Sequence, residues 1–215
     1  NREINKCYEE ILKNKTELRK ITIEKYNAIF EYSPNVDAKN FTLYDFLYEK
    51  TVAYYSCFVS LNKNDKDDNQ LLVDKFYAKP KDFITLSIKN KEHENIIPFF
   101  KILQAHERQL IEAKEFDKLD LSYNYRIKLV YKKINDLEFY NQKLFELESS
   151  TQNSFLKQEL KVERAKNYIY NYNYRNNKEI NYKQKALELI DTIFNAKVNI
   201  NALAQAEYLK NEIIK

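Results

Sequence analysis

Not one of the 215 residues is a glycine, and Pro34, Pro80 and Pro98 are the only prolines. Average glycine usage of about 7% would place about 15 in a chain of this length. Glycine supplies positive φ in tight turns and lets backbone approach a ligand closely. Hairpin sheets, phosphate-cradling loops and dinucleotide-binding turns all draw on it. The expected fold is therefore all-α: an elongated helical bundle of five or six helices with a long antiparallel C-terminal helix pair. Residues 1–215 read as a single helical domain, divisible into N-terminal helices over 1–117 and a long helical hairpin over 118–215.

Apolar residues make up 44% of the chain and charged residues 32%, with a mean hydropathy of -0.70. No apolar run approaches the ~20 residues of a membrane span. Lys, Asn, Ile, Tyr and Phe are abundant and Trp is absent, the signature of an AT-rich genome. Residues 1–117 hold 19 basic and 20 acidic side chains, and residues 118–215 hold 17 and 12. The two cysteines, Cys7 and Cys57, are too few for a disulfide scaffold. In an antiparallel hairpin of 3–32 and 42–61, Cys57 would face residue 17, about 15 Å from Cys7. A bridge needs Cα atoms within about 7 Å, so two small buried thiols are expected.

Ile4, Cys7, Tyr8, Ile11, Leu18, Ile21, Ile29 and Phe30 recur at helical spacing and predict one helix over Glu3–Tyr32, stopped at Ser33-Pro34. A second, aromatic-rich helix is expected over Thr42–Leu61. Asn62–Asn69, built of Asn, Asp and Lys, reads as a loop. A short helix over Gln70–Ala78 should close at Lys79-Pro80, with a turn or an extended stretch over 82–88. Pro98 should open a helix running to about Glu115.

From Tyr123 onward, positions stepping alternately by four and three reach Ile127, Val130, Ile134, Leu137, Asn141, Leu144 and on to Ile169 and Tyr172 without slipping register. This predicts a continuous helix over 119–174, with a kink or break in the polar cluster Glu148–Gln152. A turn at Asn173–Asn177 and a last helix over Lys178–Ile214 complete the pair. The seam would serve equally between helices of one chain or of two. Tyr123-Asn124-Tyr125-Arg126 recurs as Tyr172-Asn173-Tyr174-Arg175, an echo that reads as coincidence.

Catalytic machinery is not expected. His93 and His106 have no second ligand at metal spacing, and both read as surface residues. Asp65-Lys66-Asp67-Asp68-Asn69 begins like a calcium loop, but Gln70 stands where glycine belongs and Phe76 where glutamate belongs. No cofactor or metal is expected.

One patch carries a binding expectation. Residues 155–185 hold Lys157, Lys161, Arg164, Lys166, Arg175, Lys178, Lys183 and Lys185, interleaved with five tyrosines. Lys166, Tyr170 and Tyr174 align at four-residue steps, and with Arg175 and Lys178 they form the candidate partner-binding set. Cations meet phosphate or sulfate, while tyrosine rings stack on bases or anchor protein interfaces. Alternatively, the tyrosines pack on a neighbouring helix and the lysines are solvated.

In composition the chain resembles Gly-poor helical surface lipoproteins and secreted proteins of AT-rich bacteria, and helical surface domains of AT-rich parasites. No motif is shared, so no residue role is carried over. The expected function is that of a non-catalytic helical binding or scaffold protein, exported to a surface or periplasm and acting through protein–protein contacts. The alternatives are an intracellular protein binding nucleic acid or another polyanion through the basic, Tyr-rich face, and an immunity protein or assembly subunit.

Overall fold

The computed structural model describes residues 2–26, 41–58, 73–87, 96–134, 136–170, 181–196 and 199–214. Among them the regular structure is helical, with no strand and an isolated bridge from Thr22 to Thr42. The longer helices are α1 (Arg2–Lys13), α2 (Leu43–Phe58), α3 (Ile96–Glu112), α4 (Phe116–Ile134), α5 (Leu137–Ser150), α6 (Ser154–Tyr170), α7 (Tyr182–Ala196) and α8 (Ile200–Ile214). The all-α bundle expectation holds. Two compact units are present: Asn1–Ser60 with Asn90–Leu103, and Leu61–Lys89 with Gln104–Lys215.

In the first unit the single helix expected over 3–32 is broken. α1 stops at Lys13, and the Asn14 amide donates to the Glu10 carbonyl at 3.0 Å. A short helix follows over Lys15–Leu18 and a 3-10 turn over Ile23–Tyr26, and the Ile23 N–H donates to the Phe41 carbonyl and the Leu43 N–H to the Ile21 carbonyl. Residues 27–32 lie outside the described set. α2 opens on a reciprocal cap. The Thr42 N–H and hydroxyl both donate to Asp45 Oδ2, at 2.9 and 2.7 Å, and the Asp45 N–H donates to Thr42 Oγ1. Tyr44, Phe46, Tyr48, Val52 and Tyr55 are buried along α2. Cys7 is an exposed free thiol on α1, not the buried one expected, and the Cys57 side chain lies outside the described set.

Burial pushes the Tyr44 hydroxyl up to about 12, and that of Tyr123 in the second unit likewise to about 12. The ordinary value is 10.0, so the folded values lie above the unfolded ones. Stability from these groups is intact below pH 10 and is lost as pH rises through 12. Tyrosinate absorbance should therefore lag behind that of the denatured chain between those values. A native titration that superimposes on the denatured one would contradict this burial.

In the second unit the chain leaves a helical stretch ending at Tyr77, passes through a short helix at Pro80–Phe83 and continues to 87. Carbonyl oxygens along 76–86 are satisfied by side chains from α3 and α4. The Gln104 amide donates to Phe83 at 2.6 Å and to Leu86 at 2.9 Å, Arg108 donates to Ile84, and the Tyr123 hydroxyl donates to Tyr77. Arg126 is fully buried and is the hub. It grips Glu107 with Nε and Nη2 at 2.8 and 3.0 Å, and donates from Nη1 to the carbonyls of Phe76 and Ala78. Its guanidinium lies 3.7 Å from the Phe83 ring centroid and 4.8 Å from that of Tyr123. Burial pushes the Glu107 carboxyl up, opposed by Arg126. His106, expected at the surface, is buried on the inward side of α3, one residue before Glu107.

The continuous helix expected over 119–174 is three helices, yet the seam survives the breaks. Tyr123, Ile127, Val130, Leu137, Asn141, Leu144, Thr151, Gln158, Val162, Ala165 and Ile169 are all buried. Phe155 is 55% exposed, and Leu156 takes the inward place beyond the second break. Each break is made by an Asx residue instead of glycine. Asp136 caps α5 by accepting from the Phe139 N–H, and Asn153 caps α6 by accepting from the Leu156 N–H. The last helix expected over 178–214 is likewise two: Asn181 caps α7 and Asn199 caps α8.

Lys114 closes α3 with φ 58, a conformation glycine usually takes. The Glu115 N–H reaches the Leu110 carbonyl and the Lys114 N–H that of Ile111, the paired bonds of a Schellman end. Lys114→Gly should stabilise the chain by about 0.5–1 kcal/mol, read as a higher urea midpoint. An unchanged or lower midpoint would contradict the left-handed assignment.

Helix directions follow from which residues meet. Tyr131 stacks on Tyr140 near the α4–α5 turn, and Thr151 reaches back to Asp120, so α4 and α5 are antiparallel. Glu148 meets Arg164 and Asn141 meets Asn167, so α5 and α6 are antiparallel. Lys185 lies over Tyr168 and Asp191 meets Lys210, giving the same relation for α6–α7 and α7–α8. Gln158 meets Asn199 and Lys166 meets Gln205, so α6 and α8 run parallel. These last three helices share a core that includes Ala165, Ile169, Ala186, Ile190, Ala206 and Leu209.

Candidate functional site

Ala202 and Ala206, one turn apart and buried, leave little bulk on the first half of the inward face of α8, ahead of Leu209 and Ile213. This small-residue face brings α8 against α6 and sets the outer edges of the two helices side by side. Between them lies an open groove of about 440 Å³, lined by Lys166, Tyr170, Ala204, Gln205, Tyr208 and Leu209. Leu209 is buried, while Tyr170 and Tyr208 are 51% and 60% exposed.

The polar groups of the groove form two layers. In the first, Lys166 Nζ donates to Gln205 Oε1 at 2.6 Å. In the second, the Tyr170 hydroxyl hydrogen-bonds that of Tyr208. Burial, this bond and the nearby Glu212 carboxylate all push the Tyr170 hydroxyl up.

Of the expected partner-binding set, Lys166 and Tyr170 line this groove. Tyr174, Arg175 and Lys178 lie outside the described residues. Three further described cations of the patch, Lys161, Arg164 and Lys185, do not join Lys166. Arg164 pairs with Glu148 and lies over the exposed Phe145 ring, and Lys161 is 3.9 Å from the same carboxylate. Lys185 covers the ring of Tyr168, which itself packs on the three-helix core. Lys161 and Arg164 thus face α5, and Lys166 faces α8. Gln205 and Tyr208 were not singled out in the sequence; their signal is the Ala202–Ala206 spacing that turns them toward α6.

Among the described residues no group of three or more His, Cys, Asp or Glu is placed to hold a metal ion. No helix among them is long and apolar enough to cross a membrane. No protein-family model, no curated protein and no solved structure matches the chain.

Proposed function

We propose that this chain is a non-catalytic helical binding protein that meets a protein partner through the α6–α8 groove. The observation that carries the reading is the pair Tyr170 and Tyr208. Two half-exposed rings from different helices stand together over an aliphatic floor, held by each other's hydroxyls. Tyrosine offers large contact area at low entropic cost and is enriched at the centres of interfaces. We assign the protein with it to a surface or periplasmic setting, which fractionation of the source cells checks.

A polyanion-binding role ranks second, because Lys161 and Arg164 are engaged by Glu148 and so are not gathered with Lys166 on one face. The test is a pull-down from the source organism and its surroundings with the native chain and with Tyr170→Ala/Tyr208→Ala. A partner held by the native chain and released by the double variant is expected. Equal retention by both, or salt-sensitive capture of nucleic acid alone, would reject the groove as the protein-contact surface.

A further inference from the structure

The hydrogen-bond polarity of the groove identifies its occupant. Lys166 Nζ carries three N–H groups and spends one on Gln205 Oε1. Because that oxygen accepts, the Gln205 amide N–H₂ remains available as a donor. The Tyr170 and Tyr208 hydroxyls bond each other, and the Tyr208 hydroxyl keeps hydrogen-bonding capacity for a ligand. Neither Lys166 nor Gln205 has a further polar partner among the described residues. At its Lys166 end the groove therefore carries one positive charge and spare N–H donors.

Resting on the binding role proposed above, we infer that the groove holds an acidic segment of a partner protein. An Asp or Glu carboxylate sits on Lys166 Nζ, the Gln205 amide and the Tyr208 hydroxyl, and its apolar neighbour lies across the two tyrosine rings. A single cation matches a single carboxylate and is a poor match for a phosphate chain. Glu212, beside Tyr170, gives the segment a direction, because a second acidic residue at that end would be repelled.

A random peptide library displayed on phage, selected against the intact chain, tests this. Selected peptides should pair Asp or Glu with an aromatic or aliphatic neighbour. Lys166→Glu should weaken their binding about tenfold or more, the scale of a charge-assisted hydrogen bond. Lys166→Gln should weaken it less, and Tyr208→Phe by a few-fold. Lys132→Glu, on the exposed surface of α4, should leave it unchanged. Far-ultraviolet dichroism of each variant separates lost binding from lost folding. If selected peptides need Tyr170 and Tyr208 but are not acidic, or ignore Lys166→Glu, the carboxylate inference fails and the protein-binding role stands. If no peptide depends on either tyrosine, both fail. Groove-dependent binding of a single-stranded oligonucleotide in place of peptides would also overturn the inference.

Discussion

Glu107→Leu should cost the second unit about 3–5 kcal/mol, enough to leave much of it unfolded at ambient temperature. The reason is the guanidinium left behind. Arg126 is fully buried with four donor bonds, two of them to Glu107. Without the carboxylate, its charge has only the Phe76 and Ala78 carbonyls and two aromatic faces for company. Arg126→Met should cost a similar amount, through a buried carboxylate and two orphaned carbonyls. The double replacement Glu107→Leu/Arg126→Met should recover part of the loss, because no charge is stranded. Recovery stays incomplete because the Phe76 and Ala78 carbonyls still lack a donor. Urea unfolding of the three variants checks this as a double-mutant cycle. Single replacements costing under about 1 kcal/mol would show that the pair does not organise the 76–87 stretch.

Ile190→Ala should cost about 2–5 kcal/mol, at the upper part of that range. Ile190 is fully buried among Ala165, Ala186, Ala202 and Ala206, all 0–1% exposed. The alanines have no side chain to swing into the vacated volume, and Ile169, Ile193 and Leu209 of the same core fill it only in part. Ile190→Val should cost only about 0.5–1.5 kcal/mol. Leu209 belongs to the same core and floors the groove, so groove-dependent binding should fall with Ile190→Ala. A loss of under about 1 kcal/mol on Ile190→Ala would mean that the three helices do not close around this residue.

Much of the core was legible, because burial follows hydrophobic spacing and that spacing holds across breaks. From Tyr123 to Ile169 the alternating four–three steps fall on buried positions in α4, α5 and α6, apart from Phe155 and the half-buried Glu148 among those described. Helix ends were less legible. Missing glycine and proline suggested long rods, yet Asp136, Asn153, Asn181 and Asn199 each open a new helix by accepting a backbone N–H of its first turn. The polar cluster before Asn153 did mark one of these places.

The same cause limited the site. Lys166 and Tyr170 follow from their four-residue spacing on α6, whereas Gln205 and Tyr208 join them only because the break before α8 reverses its direction. Arg126 gave no hint of burial on its own. Its need arises from unpaired carbonyls in a distant stretch, which side-chain periodicity does not record.

The central claim is that Asn-capped breaks fold α8 parallel to α6, so that Lys166 meets Gln205. A hairpin of two unbroken rods turning at 173–177 would instead set Gln205 near residue 147, about 28 Å along the axis from Lys166. The direct measurement is cross-linking with a short bismaleimide in a Cys7→Ser/Cys57→Ser background. Lys166→Cys/Gln205→Cys should cross-link within one chain at low protein concentration, and Leu147→Cys/Gln205→Cys should not. The reverse pattern would contradict the account.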